Sequence, residues 1–153
     1  MPDVTHIADA LRNAGVSAVS VEADEMLGAV VRVAPAQARA TLETLRDSSH
    51  AFGLPVDIFG IDTGSAVDVV YHLRSLSHAE EVVVKVEHEY GSELESVWEV
   101  FPAALMPERE IAEMFGFTLA GHPNPKHLLL TSGIEPLLLK RVEIRSAEEV
   151  RNR

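Results

Sequence analysis

Apolar positions recur at helical spacing at the two ends of the chain and alternate through its centre. Ile7, Ala10, Leu11 and Ala14 share one helical face, so residues 3–14 read as a helix that Asp3 can cap and Gly15 can end. Two apolar runs follow, Val16–Val21 and Ala29–Val33, and the polar stretch Glu22–Gly28 between them predicts a hairpin. Pro35 suits a first helical turn, and Ala38, Leu42 and Leu45 extend a helix over residues 36–47. Leu54–Asp62 reads as a weaker strand, broken by Gly60, and Asp62–Ser65 as the turn after it. Val67, Val69, Tyr71 and Leu73 then oppose Asp68, His72 and Arg74. Val82, Val84, Val86, His88 and Tyr90 oppose Val83, Lys85, Glu87 and Glu89. That is the period of half-buried strands.

After Gly91 the helical period returns. Leu94–Val100 reads as a short helix. Pro107 opens another over Glu108–Gly116, with Gly116 available as its cap. Phe117–Arg153 carries Pro123, Pro125, Gly133 and Pro136 and reads as an extended arm, with Ser132 in a turn and a short helix at Ala147–Arg151. The expectation is an α+β fold: a two-layer α/β sandwich with a mixed sheet of about five strands and helices on one face. Residues 1–116 form the domain and residues 117–153 the extended C-terminal arm. Segments of that length without regular structure commonly serve binding.

Composition narrows the function. The 153 residues suit one domain, and 46% hydrophobic with 24% charged residues excludes a disordered chain, a collagen and a coiled coil. With no cysteine, this chain holds no disulfide, iron–sulfur cluster, thiolate zinc site or cysteine nucleophile. A formal net charge of −11 repels a phosphate backbone, so no nucleic acid is expected. The acid is uneven: Glu80–Glu113 holds ten Glu against Lys85 and Arg109, whereas Lys126–Arg153 is slightly basic. The acidic stretch reads as a solvated face, with a docking surface for a basic partner as the alternative. No apolar run reaches the length of a membrane span, and the start lacks a signal-peptide core. A cytosolic chain is expected, reaching a membrane only through another chain.

Chemistry is sparse. There is no G-x-G-x-x-G, Walker A or H-E-x-x-H pattern. The seven His are scattered; His122 and His127 are close in the arm, but the prolines between them extend the chain and no carboxylate joins them. Trp98 reads as core. No catalytic, cofactor-binding or metal-ligating residue is assigned. The densest feature is Glu108–Gly116. Glu108 and Glu110 sit where the helix dipole favours anions. Arg109 and Glu113 stand at i, i+4 and are expected to pair, as Ile111 and Phe115 are expected to make an apolar stripe. Paired carboxylates for acid–base work, a cation site and a charged helix start all fit, and physics alone favours the last.

The stretch Glu108–Leu129 resembles the signature of the 30 kDa subunit family of respiratory NADH:quinone oxidoreductase, complex I. Its elements are Glu108-Arg109-Glu110, Glu113, Met114-Phe115, His122, Lys126 and Leu128-Leu129. Upstream, Val69–Leu73 with Ser75-Leu76, and Val97–Ala104, resemble the family more loosely. Two departures stand out: Met106-Pro107 replaces an aromatic, and Pro136–Lys140 lacks an Arg and an Asp of the family's usual close. Glu113–Gly116 and His127–Leu130 also resemble the equivalent subunit of membrane-bound [NiFe]-hydrogenases, and both assignments stand.

The resemblance implies a non-catalytic peripheral subunit of a proton-translocating complex, at the cytoplasmic face of the cell membrane. It implies docking on the large hydrogenase-like (49 kDa-type) subunit and the small iron–sulfur subunit, with FMN, iron–sulfur clusters and quinone in other chains. Glu108, Arg109, Glu110, Glu113, Phe115, Gly116, His122, Pro123 and Lys126 are then expected at the partner interface, with the arm lying across the partner. The rivals are a hydrogenase or formate-hydrogenlyase-type subunit, a stand-alone enzyme using Glu108, Glu110 and Glu113, and an acidic scaffold.

Overall fold

The computed structural model describes residues 3–131, 133 and 134. Helix α1 (Thr5–Asn13) follows Asp3, whose carboxylate accepts the Thr5 N–H at 2.9 Å. It closes on Gly15 at φ +74°, where the Val16 N–H bonds the Leu11 carbonyl and the Gly15 N–H that of Arg12. Only a left-handed residue lets both bonds form, and glycine takes that conformation without a Cβ clash.

Strands β1 (Ala18–Asp24) and β2 (Gly28–Val33) make the expected hairpin. The strands run further into the connection than the apolar runs do, because the Asp24 carboxylate accepts the Met26 and Leu27 N–H groups at 2.8 Å and turns the chain itself. A 3-10 turn at Pro35–Gln37 leads into α2 (Ala38–Asp47). Strands β3 (Leu54–Asp62), β4 (Val67–Arg74) and β5 (Glu81–His88) follow as an antiparallel meander. The sheet order is β1-β2-β5-β4-β3, with β2 parallel to β5 from Ala29↔Val82 to Val33↔Val86. The sheet is therefore mixed and five-stranded.

One face carries Val31, Val33, Ile58, Val67, Val69, Tyr71, Val84 and Val86, packed with Ile7 and Leu11 of α1, Leu42 and Leu45 of α2, and Ile111 and Phe115 of the last helix. Helices thus cover one face, as the two-layer expectation requires. The opposite face is less polar than strict alternation predicts. Val70 and Val83 are buried there, and Val70 is flanked in register by Phe59 and Lys85.

The expected helix at Leu94–Val100 does not form. Strand β6 (Glu93–Glu95) pairs in parallel with β7 (Thr118–Ala120), bringing Leu94 opposite Leu119. Residues 97–101 make a single turn through the Val97 carbonyl. The apolar spacing at Leu94, Val97, Val100 and Phe101 buries all four by this route. Helix α3 (Leu105–Phe115) begins two residues before Pro107, after a 3-10 turn at Pro102–Ala104. Proline fits within that first turn, where N–H groups lack helical partners anyway. The fold also continues past residue 116: Phe117 is in the core and β7 follows it. The Ser132 turn, the Pro136–Lys140 close and the Ala147–Arg151 helix lie outside the described residues. Among the described residues, no helix is long and apolar enough to cross a membrane.

Candidate docking site

Helix α3 is seated by its last turn. Phe115 packs against Gly60 of β3, where a Cβ would stand 2.4 Å from the ring. The break that Gly60 makes in the strand pattern is thus the space for Phe115. Gly116 then caps the helix at φ +77°, its N–H bonding the Ala112 carbonyl at 2.7 Å.

Glu108 points inward and is fully buried. Its carboxylate accepts the Ser96 hydroxyl and, at 2.7 Å, the Val97 N–H. It therefore staples α3 to the turn after β6. Burial raises its pKa, and the Ser96 and Val97 donations, with His122 at 3.9 Å, pull it down without cancelling that rise. His122 is buried beside it. Its Nδ1 accepts the Asn124 N–H at 3.0 Å, which assigns the proton to Nε2 for donation to the Leu105 carbonyl at 2.9 Å. Both ring nitrogens are engaged, so His122 offers no free lone pair to a metal.

Arg109 and Glu113 do not form the expected helical ion pair. Both reach instead to the main chain of the arm. Arg109 donates from Nε to the Lys126 carbonyl and from Nη2 to the His127 carbonyl, each at 2.7 Å. Glu113 accepts the N–H groups of Leu128, Leu129 and Leu130 at 2.9, 2.7 and 3.2 Å. An i, i+4 pair on an exposed helix is worth only a few tenths of a kcal/mol, whereas charge-assisted bonds to otherwise bare backbone groups are worth more. One cation on carbonyls and one anion on N–H groups clamp five consecutive residues along α3.

Burial acts to raise the Glu113 pKa, but the N–H donations from Leu129, Leu130 and Leu128, with His127 nearby, outweigh it and hold the carboxyl below its ordinary value. A carboxyl lowered by folding contributes stability above its unfolded pKa and loses it as pH falls through the folded one. Amide exchange therefore gives a direct check. Glu113→Ala is expected to speed exchange at Leu128–Leu130 by roughly ten- to a hundredfold at neutral pH, the cost of charge-assisted bonds. In the unmodified chain the same protection is expected to fade on acidification. Unchanged protection in the variant would remove Glu113 from the clamp.

The sequence expectation thus divides. Glu108, Glu113, Phe115 and His122 face inward, Arg109 and Gly116 are half-buried, and Glu110, Pro123 and Lys126 are exposed. Glu108 and Glu113 hold separate sets of partners, so the three glutamates do not make one acid–base centre. Trp98, expected in the core, is half-buried and donates from Nε1 to the Gly121 carbonyl at 3.0 Å. Ser96 and Val97 belong to the site but were missed; only the burial of a lone Glu beside an apolar stripe signals the need for such donors.

The family model described as respiratory-chain NADH dehydrogenase, 30 Kd subunit, matches residues 31–146. The NADH-quinone oxidoreductase subunit designated C in Methylorubrum populi is 41% identical over 98 residues, covering 61% of this chain and 45% of that protein. Its counterpart in Xanthobacter autotrophicus is 31% identical over 155 residues, covering 94% of this chain and 72% of that protein. The match spans about half or less of the length of relatives such as the Methylorubrum protein. Among solved structures, a chain of the membrane-bound sulfane sulfur reductase, an archaeal respiratory membrane complex, superposes with a TM-score of 0.67 over 84% of this chain and 76% of that one, at 19% identity. That likeness is one of fold.

Proposed function

This chain belongs to the 30 kDa subunit family of the respiratory-chain NADH dehydrogenase, and we propose that it is a non-catalytic docking subunit of an NADH:quinone oxidoreductase. In this reading it sits on the large hydrogenase-like subunit, beside the small iron–sulfur subunit, at the cytoplasmic face of the membrane. FMN, iron–sulfur clusters and quinone belong to other chains. The observation that carries the reading is the clamp. Arg109 and Glu113 hold the arm by its backbone, which leaves exposed side chains along it, Pro123, Lys126 and Leu129, and Met106 and Glu110 of α3 are exposed as well. A segment already held in place binds a partner without the entropy of ordering it at that moment.

The test is a tagged pull-down from solubilised membranes of the native host, with mass spectrometry. The expected companions are the large subunit together with flavin- and NADH-binding subunits. Nickel-site proteins in their place would move the chain to a hydrogenase-type complex, and a chain that comes down alone would overturn both. Arg109→Ala is expected to weaken recovery of the large subunit about tenfold, the scale of an interface arginine. Unchanged recovery would remove Arg109 from that role.

A further inference from the structure

Three residues from three separate elements meet on the opposite side of the fold. His6 lies in α1, His50 in the loop after α2, and Glu80 just before β5. One ligand atom of each lies within 4.8 Å of the others. Glu80 Oε2 stands 2.8 Å from His50 Nδ1 and 3.2 Å from His6 Nε2. We propose that His6, His50 and Glu80 form a binding site for a divalent cation of the zinc class.

Four observations support this. Two imidazoles and a carboxylate are the donor set such cations prefer, and two donors of a tetrahedral zinc stand roughly 3.4 Å apart, close to the distances of Glu80 from the two imidazoles. His6 Nε2 is buried and makes no aligned hydrogen bond, although Glu80 is near. A buried polar nitrogen left without an aligned hydrogen bond is a costly feature to keep. The loops carrying the other two ligands are strained and tied together. Ala51 at φ +47° follows His50, and Ala79 at φ +52° precedes Glu80. These are the non-glycine residues with positive φ among those described, and strain of this kind collects at functional positions. Ser75, itself buried, donates its hydroxyl to the His50 carbonyl, accepts the His78 N–H at 3.2 Å, and bonds the Glu80 carbonyl through its own N–H at 2.8 Å. It sets both loops in place. Finally, a surface cavity of about 660 Å³ opens beside the three ligands, giving an entry path and room for water in the remaining coordination positions.

The rings of His6 and His50 stack at 3.9 Å and 15° from parallel, and His78 stacks on His50 at 4.3 Å. Binding therefore turns one imidazole about its terminal torsion, which is broad in histidine. The bound cation would fasten α1 to the two loops. Sequence reading misses the site because its ligands come from distant parts of the chain without a motif. The proposal is independent of the docking reading, and neither fails with the other.

The test uses the untagged full chain, stripped of metal and titrated with zinc chloride by calorimetry near pH 7.5. Expected are one equivalent bound with micromolar or tighter affinity and a melting temperature raised by roughly 5–10 °C at a free zinc concentration about 100 times Kd. Glu80→Gln, nearly isosteric, and His50→Ala should each weaken binding about tenfold or more, while His72→Gln should not. No saturable binding would overturn the proposal and leave a cluster that only shares protons. Binding that survives both variants, each folded by circular dichroism, would also overturn it and place the cation elsewhere.

Discussion

Glu108→Ala is expected to lower the melting temperature by roughly 6–12 °C, a loss of about 3 kcal/mol in a chain of this size. The truncation leaves the Ser96 hydroxyl and the Val97 N–H buried without their acceptor. Each such group costs about 1–3 kcal/mol, and the emptied volume adds to it. Glu108→Gln keeps the shape and one acceptor and should cost far less. The two variants also separate packing from charge. Because folding raises the Glu108 pKa, the folded state holds that proton more tightly than the unfolded one. Its contribution to stability is therefore greatest below the ordinary carboxylate range and declines as pH rises through the folded value. Glu108→Gln should lack that decline, so its stability relative to the unmodified chain improves with rising pH. Thermal melts at several pH values check both points. A shift under about 2 °C in Glu108→Ala would show that the staple between α3 and the turn after β6 holds little.

Gly28→Ala is the second large effect. Gly28 opens β2 at φ +76°, and a Cβ there would stand 2.3 Å from the Glu81 carbonyl oxygen. The left-handed backbone costs an alanine about 1–2 kcal/mol. The clash is with main chain, not with a movable side-chain tip, so about 1–3 kcal/mol of overpacking adds to it. The variant should lose about 3 kcal/mol by urea denaturation with an unchanged m-value. Gly28 also stands beside Ala29↔Val82, where the parallel β2–β5 ladder begins. Amide exchange in β2 and β5 should therefore rise before exchange in β3 and β4. Uniform loss across the sheet would mean that the hairpin and the meander unfold as one.

Local features of this fold could be read from the chain, and non-local ones could not. Gly15 and Gly116 close their helices as expected, because a cap depends on adjacent residues. The alternation in Val67–Leu73 and Val82–Val86 places the correct face inward. The parallel pairing of β2 with β5 is invisible to periodicity, since it joins strands separated by two others in sequence. Leu94–Val100 misleads for a related reason: its spacing suits a helix, but Leu119 supplies a strand partner from beyond α3. In the signature, the residue types were legible and their partners were not. Arg109 and Glu113 are at pairing distance in an isolated helix, and only the return of the arm takes both away. Glu108 looks like a solvated acid until the turn at Ser96 is placed over it.

The clamp has one more property. Among the described residues, every arm atom it hydrogen-bonds belongs to the backbone: the carbonyls of Lys126 and His127 and the N–H groups of Leu128, Leu129 and Leu130, with the His127 ring, 3.9 Å from Glu113, the side chain that also approaches it. Its hydrogen bonds are blind to the letters of the segment it holds. Most substitutions at positions 126–130 leave the grip intact, and the direct exception is proline at 128, 129 or 130, which removes a donor. The helix must keep Arg109 and Glu113, while the arm is free to vary its side chains to suit whatever surface it meets. In the docking reading proposed above, a fixed handle carrying an exchangeable face would let one fold be refitted to different assemblies without rebuilding its core.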